Sequence, residues 1–243
     1  MTFSRGLLAL SFLLTVASAS ACKAKPSAAA LEAFPAQDAA RVADAILAND
    51  GATVTALIHD GANPSANGDA GRSLLEFAIW KEKPKAFNAL LAAGADTAHA
   101  DDEGDTVMCY AAKIEDASYM NALLVKKVDP NVINKISGDS PLMDAALTGH
   151  QPQLHALLQA GARLDAAEPN GDNALIMAAQ ANKTQVVLDL LAAGADPLAK
   201  NQMGATFQRY LNMTPANVAA PEMQREREKI KRWLVGHNVP LES

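Results

Sequence analysis

The side chains that could catalyse a reaction or hold a metal are few in this chain, and they are not grouped as such chemistry requires. No two histidines form a His-x-x-x-His pair, and His150 and His155 are five residues apart, so they do not share a helical face. A Gly-rich phosphate loop, a Gly-x-Ser-x-Gly elbow and a Cys-x-x-Cys pair are all missing from the sequence. We therefore expect no catalysis, no bound metal and no cofactor.

Acidic side chains outnumber basic ones, 27 to 21, which gives a net charge of −6. A protein that binds nucleic acid neutralises phosphates with Lys and Arg, and it needs a basic surface to do so. The charge balance therefore disfavours nucleic acid as a partner.

The first 21 residues have the composition of a secretory signal peptide. Arg5 precedes an apolar run over residues 6–17, and small residues follow up to Ala21. The run is too short to cross the ~30 Å core of a bilayer as a helix, which takes about 20 residues. We expect residues 1–21 to be removed and the protein to be exported.

Cys22 follows the predicted cleavage point directly and allows two interpretations. Ala19-Ser-Ala21 is a site for the general signal peptidase, and small residues before a Cys also resemble the lipobox of bacterial lipoproteins, although the usual Leu three positions before the Cys is absent. We expect lipidation of Cys22, followed by a tether over residues 22–37. Lys23 is typical of lipoproteins sent to the outer membrane, so we expect a periplasmic protein that touches the membrane only through its lipid.

A pattern with a period of about 33 residues runs through the rest of the chain. A glycine opens each unit at steps of 33, 34, 33 and 33 residues: Gly71, Gly104, Gly138, Gly171 and Gly204. A second marker, Leu-Leu-x-x-Gly-Ala or a close variant, recurs in the same register at 57–62, 90–95, 157–162 and 190–195. Because each unit of a repeat protein buries its apolar face against its neighbours, this period sets the fold.

The unit that opens at Gly138 carries the pattern most fully, with Ser140-Pro-Leu-Met-Asp-Ala-Ala146, a glycine at 149 and the Leu-Leu marker. It resembles the ankyrin repeat, whose units read Gly-x-Thr-Pro-Leu-His-x-Ala-Ala before Leu-Leu-x-x-Gly-Ala-Asp. The resemblance covers roughly residues 38–239 and implies an all-α repeat solenoid of helix-turn-helix units with projecting β-hairpin fingers. It predicts an N-terminal cap at 38–70, repeats at 71–103, 104–137, 138–170 and 171–203, and a C-terminal cap at 204–239.

The unit that opens at Gly104 departs from the pattern. Lys127 stands where a left-handed glycine normally closes the second helix, at a cost of roughly 1 kcal/mol, and one extra residue follows within 129–137. Cys109 falls in the first helix of this unit, where we expect a buried apolar thiol. A disulfide between Cys22 and Cys109 is the competing interpretation.

The resemblance implies that the first helices line a concave face, which makes their exposed side chains candidates for binding a protein. Phe77 and Tyr110 could instead fill gaps between helices, so Trp80 and Ile114 are the better interface candidates. The candidates on this face are Phe77, Trp80, Lys81, Tyr110, Lys113, Ile114, Leu147, Met177 and Gln180, with Asp144 in the same register.

The loops around the opening glycines, which the resemblance makes the fingers, are rich in acids. These acids either solvate the turns and bond their own backbone amides or form a rim that steers a basic partner. They are Asp69, Asp101, Asp102, Glu103, Asp105, Asp139 and Asp172.

The function implied is non-catalytic protein binding in the bacterial cell envelope, by a chain that is monomeric when unbound. One version is an immunity protein that neutralises a secreted toxin such as a lipase. A second is an accessory factor that protects or assembles a periplasmic enzyme, and an enzyme or small-ligand carrier is the alternative of a different class. Fold alone does not name the partner.

Overall fold

A computed structural model describes residues 25–213 and 220–242, so the leader and Cys22 lie outside the described residues. The chain divides into two compact units between Glu103 and Gly104. This point coincides with the predicted border between two repeats. Each unit is described by itself.

The first unit consists of two stacked helix pairs preceded by a short helix. Its helices are α1 Ala28–Ala33, α2 Gln37–Leu47, α3 Gly51–His59, α4 Leu74–Trp80 and α5 Pro84–Ala92. Helix α2 packs against α3 and α4, and α5 packs against α3 and α4. The two pairs thus cover each other, as the repeat pattern predicts.

The segment before the first pair is docked on this unit from Ser27 onward. Ser27 caps α1, and its backbone N–H and hydroxyl both donate to the carboxylate of Asp44, at 2.7 and 2.5 Å. Phe34 is buried against Phe77, edge to face, with ring centroids 5.3 Å apart. The stretch predicted as a tether therefore contains a helix that packs on the repeats.

The second unit is a longer stack of the same kind. Its helices are α6 Val107–Lys113, α7 Ala117–Val125, α8 Pro141–Thr148, α9 Gln151–Gln159, α10 Ala174–Gln180, α11 Thr184–Ala192, α12 Phe207–Met213 and α13 Pro221–Gly236. The first helices α6, α8, α10 and α12 pack in succession, and α13 packs on α11. Ile230 and Leu234 of α13 are buried.

The apolar positions of the repeat are the core. The leucines of the Leu-Leu marker and the alanines of the first helices are buried, among them Leu90, Leu157, Leu190, Ala146 and Ala179. The predicted all-α array of stacked helix pairs is confirmed. In the described ranges, no helix has both the length and the apolar character needed to cross a membrane.

The fingers are tight loops, and the part of the chain that the structure describes contains no β-strand, only isolated bridges such as Asn67 to Ser73 and Ala167 to Asn173. Backbone bonds span several of these loops, for example from the Glu168 N–H to the Asp172 carbonyl at 3.0 Å.

The extra residue of the repeat that opens at Gly104 can be located from the backbone hydrogen bonds that span the finger loops. Asn201 donates its backbone N–H to the Ala205 carbonyl at 3.1 Å, across four residues. In the repeat that opens at Gly104, the backbone N–H of Asn134 donates to the Asp139 carbonyl at 2.9 Å, across five residues. The insertion therefore lies between Asn134 and Asp139.

Two helix ends of the second unit show how the repeats close their helices. Lys127 has φ 60°, as predicted for the residue that replaces the closing glycine. Helix α6 instead ends with Ile114 extended, at φ −98° and ψ 150°. The buried Gln153 amide donates to the carbonyls of Ile114 and Glu115, at 2.5 and 3.0 Å, and so satisfies the carbonyls that this ending exposes.

Candidate functional site

In three repeats the residue after the opening glycine contacts the residue eight positions later, near the end of the first helix, and we call these two positions the inner pair. Lys113 donates to Asp105 at 2.5 Å, and Gln180 donates to Asp172 at 2.7 Å. In the first unit the same positions hold Arg72 and Trp80. The Arg72 guanidinium lies 4.7 Å from the Trp80 ring centroid.

These pairs join side chains that the sequence had assigned to separate surfaces. Asp105 and Asp172 were finger candidates, whereas Lys113 and Gln180 were candidates for the concave face. The structure brings each acid and its donor together within hydrogen-bond distance. Both members of each pair are thus already occupied by an intramolecular contact.

A buried asparagine from the next finger completes the two polar pairs of the second unit. Asn134 Nδ2 donates to Asp105 Oδ1 at 2.8 Å, and Asn201 Nδ2 donates to Asp172 Oδ1 at 2.7 Å. The Asn201 side-chain oxygen also accepts the backbone N–H of Ala205 at 3.0 Å, which fixes its own loop. Sequence reasoning missed both asparagines, although each stands 29 residues after its aspartate.

Burial removes three of the seven finger acids from the solvent-facing rim that the sequence predicted. Asp101, Asp105 and Asp172 are buried, and their oxygens accept hydrogen bonds within the protein. Asp101, for example, accepts the backbone N–H of Glu103 at 3.0 Å. Asp101 thus bonds its own turn, whereas Asp105 and Asp172 accept hydrogen bonds from side chains elsewhere. Asp69, Asp102 and Glu103 are exposed, and Asp139 is half-buried.

The candidates on the first helices also divide by burial. Phe77 and Met177 are buried, so they fill space between elements instead of meeting solvent. Lys81, Tyr110 and Ile114 are partly exposed. The exposed ones are Trp80, Lys113, Leu147 and Gln180.

Trp80 is the most prominent exposed aromatic side chain in the described part of the first unit, with 53% of its surface accessible. Lys81 Nζ lies 3.5 Å from its ring centroid, on a side chain that also approaches Phe77. The ring borders a cavity of about 310 Å³ lined by aromatic and charged side chains. They include Phe34, Phe77, Trp80, Arg72, Lys81, Glu32 and Asp69.

The cluster of Asp105, Cys109 and Asp144 has ligand atoms within 4.8 Å of one another, close enough for a metal ion. The Lys113 ammonium already lies there, 2.5 Å from Asp105 Oδ2 and 3.7 Å from Asp144 Oδ1. Burial raises the pKa of the Cys109 thiol to about 11, so in the absence of a metal it is protonated at neutral pH. This cluster is an ion pair beside a buried thiol.

Comparisons with known proteins agree with this geometry. Residues 108–201 match the family model for ankyrin repeats, in three copies. The chain is 36% identical over 116 residues to Protein PhlB of Serratia liquefaciens, across 48% of this chain and 51% of PhlB. It is 37% identical over 92 residues to ankyrin repeat and SAM domain-containing protein 6 of Mus musculus, across 35% of this chain and 10% of that protein. The chain thus spans about half the length of PhlB and a tenth of the mouse protein.

Among solved structures, the ankyrin repeat domain of Bcl-3, described as a unique member of the IkappaB protein family, is similar with a TM-score of 0.66 and 26% sequence identity. The match covers 71% of this chain and 80% of the Bcl-3 domain. The helix pairs described above are therefore those of an ankyrin-repeat array.

Proposed function

We propose, from the premise that this chain is an ankyrin-repeat protein, that it is a non-catalytic scaffold whose first-helix ends bind another protein. Ankyrin repeats generally serve as protein-binding surfaces, but the fold alone does not decide where a partner docks. The observation that carries the proposal is Trp80, a large aromatic side chain left half in solvent at an inner pair and beside a cavity.

The surroundings of Trp80 suit an anchor for a partner. Tryptophan and arginine are enriched at the few positions that carry most of a binding energy. Arg72 and Lys81 lie over the ring, and cation–π contacts of this kind hold it in place. A side chain that is already ordered loses less entropy when a partner covers it.

The second part of the proposal concerns the cellular compartment of the protein and the identity of its partner. The leader pattern and Cys22 support export to the cell envelope with a lipid anchor on the outer membrane. In that compartment we propose an immunity protein that binds and neutralises a secreted toxin such as a lipase. The alternative, an accessory factor for a periplasmic enzyme, is distinguished by the identity of the bound protein.

The proposal is tested by binding. The chain without its leader is immobilised and exposed to envelope and secreted proteins of the source cells and to the products of neighbouring genes. For a protein captured and then purified, we expect Trp80→Ala to raise Kd about thirtyfold or more, equivalent to about 2 kcal/mol. Kd is measured by calorimetry or surface plasmon resonance.

The matched control is Trp233→Ala, which removes the other tryptophan, a half-buried side chain on α13. It should leave Kd unchanged, and circular dichroism should show both variants folded. If Trp80→Ala retains full affinity while a change on the second helices abolishes binding, the proposed site is wrong.

A further inference from the structure

The cavity beside Trp80, which we call the Trp80 cavity, has one wall formed by the short helix that precedes the repeats. Helix α1 contributes Ala29, Glu32 and Ala33 to this wall. Phe34 follows directly at the end of the helix. The first repeats supply the rest of the lining: Leu47, Asp69, Arg72, Phe77, Trp80 and Lys81. Because α1 lies before the repeat pattern, periodicity alone does not predict this cavity.

The Trp80 cavity combines buried aromatic rings with side chains that are open to solvent. Phe34 and Phe77 are buried, and their rings meet edge to face. The Trp80 ring lies 6.1 Å from the Phe77 ring, centroid to centroid, and is half exposed. Glu32 and Asp69 are exposed. A group that enters from solvent between these side chains therefore reaches aromatic surface.

The volume of the Trp80 cavity suits one aromatic side chain. The cavity measures about 310 Å³, whereas a protein cavity of about 150 Å³ already holds benzene. It has room for a six-membered ring together with the atoms that join the ring to a backbone. Such a ring would extend the series of Phe34, Phe77 and Trp80, whose edge-to-face and tilted contacts are those that aromatic pairs favour.

The charges of the lining favour an uncharged group. Glu32 and Asp69 are acidic, and Arg72 and Lys81 are basic, so the formal charges around the Trp80 cavity cancel. A charged group of either sign would be attracted by one of these pairs and repelled by the other. A neutral ring avoids that repulsion. Its face can also meet the cations that lie over Trp80.

We propose that the Trp80 cavity receives an aromatic side chain, phenylalanine or tyrosine, of the partner protein. Insertion of the ring removes apolar surface of both proteins from water. Residues that carry much of a binding energy tend to face one another across an interface, which places this ring beside Trp80. The inference rests on the proposed function in that a protein carries the ring.

The test uses N-acetyl-phenylalanine amide as the probe and the ¹⁵N-labelled chain without its leader as the receptor. We expect saturable NMR shifts at the backbone amides of residues 29, 33 and 77 and at the indole N–H of Trp80, with millimolar affinity. The indole of Trp233, the other tryptophan, serves as an internal reference and should not move. N-acetyl-glycine amide, which lacks the ring, should produce no such shifts. Absence of shifts with the phenylalanine probe overturns the proposal.

Two further probes examine the chemistry of the bound group. N-acetyl-cyclohexylalanine amide has a saturated ring of similar size and should bind about threefold or more weakly, because it offers no aromatic face or edge to the rings of the cavity. Octanoate represents a lipid acyl chain and should bind more weakly than the phenylalanine probe. Equal or tighter binding of either compound would refute the assignment to an aromatic side chain.

The deciding variant is Ala33→Leu, which places three more carbon atoms in the wall of the Trp80 cavity. It should weaken binding of the phenylalanine probe by about tenfold or more, because the larger side chain fills space that the ring needs. Ala29→Leu fills the same cavity from an exposed position and should also weaken binding, which keeps the test valid if Ala33→Leu does not fold.

The matched control is Ala28→Leu, the same change at an exposed residue of α1 that does not line the cavity. It should bind the probe as the unmodified chain does, and circular dichroism should show the variants folded. Undiminished binding to folded Ala33→Leu and Ala29→Leu sinks the inference.

These outcomes are separate from those of the proposed function. For a captured partner, we expect Ala33→Leu to raise Kd and Ala28→Leu to leave it unchanged. A partner whose affinity depends on Trp80 but not on Ala33 supports the scaffold proposal and refutes the aromatic-insertion inference. Probe binding in the cavity, combined with partner affinity that ignores both Trp80 and Ala33, refutes the docking of a partner at this site.

Discussion

Glu76 is a fully buried carboxylate at the start of α4. Its Oε2 accepts the Ser73 backbone N–H at 2.6 Å, and Ser73 Oγ accepts the Glu76 N–H at 3.3 Å, a capping box. Its Oε1 accepts no hydrogen bond from the described residues. Burial raises the pKa of Glu76 to about 7, against the opposing hydrogen bonds from Ser73; His99 also opposes the rise, and Asp101 adds to it.

This raised pKa predicts that stability falls as pH rises. Between about pH 4.5 and 7 the folded chain keeps a proton on Glu76 that the unfolded chain releases, so the folded state is favoured at the lower pH. We expect Tm to be about 3 °C or more higher at pH 5.5 than at pH 7.5. Thermal melts followed by circular dichroism measure the difference.

Glu76→Gln is the informative variant, because glutamine can still accept the Ser73 N–H but does not titrate. It should reduce the fall in Tm without abolishing it, since Asp144 has the same raised pKa. If the melts of Glu76→Gln change with pH as steeply as those of the unmodified chain, Glu76 is not protonated in the folded state.

At the scale of one element, the closing residue of the second helix shows how the repeat tolerates substitution. Gly161 closes α9 at φ 82°, and Lys127 closes α7 at φ 60°. A methyl group added at Gly161 would meet no atom within 4 Å, so any cost there comes from the backbone. Substitutions at these two sites therefore report the energy of the left-handed backbone conformation separately from that of side-chain packing.

We therefore expect opposite effects from opposite substitutions. Lys127→Gly should stabilise the chain by about 0.5–1 kcal/mol, and Gly161→Ala should destabilise it by about 1 kcal/mol, because a side chain in this conformation crowds its own backbone. Urea unfolding measures both. A loss of stability in Lys127→Gly would mean that the lysine side chain contributes more than its backbone costs.

At the scale of the whole molecule, the leucines between helix pairs carry the stability. Leu157 is completely buried between the helices of the second unit. Leu157→Ala should destabilise by about 2–5 kcal/mol, as buried leucine truncations do. Leu198→Ala makes the same chemical change on a finger, where the side chain is 53% exposed, and should stay within about 0.5 kcal/mol.

Asp102→Ala, an exposed finger acid, should also change the free energy of unfolding by no more than about 0.5 kcal/mol. Urea or thermal unfolding measures all three variants. Comparable losses of unfolding free energy at Leu157 and at either finger site would show that the leucine layer is not the main source of stability.

The sequence by itself determined the repeat, its register and its core. Each unit encodes which positions face its neighbours through the local spacing of Leu, Ala and Gly, and such spacing is visible without coordinates. Lys127 as a left-handed closing residue and Cys109 as a buried thiol were both predicted for this reason.

Only the tertiary structure decided which polar residues remain available to a partner. Asp105 and Asp172 resemble exposed finger acids in the sequence, but each is covered by a donor eight residues away and another 29 residues away. The path of the loops brings those groups together, and local periodicity does not encode that path.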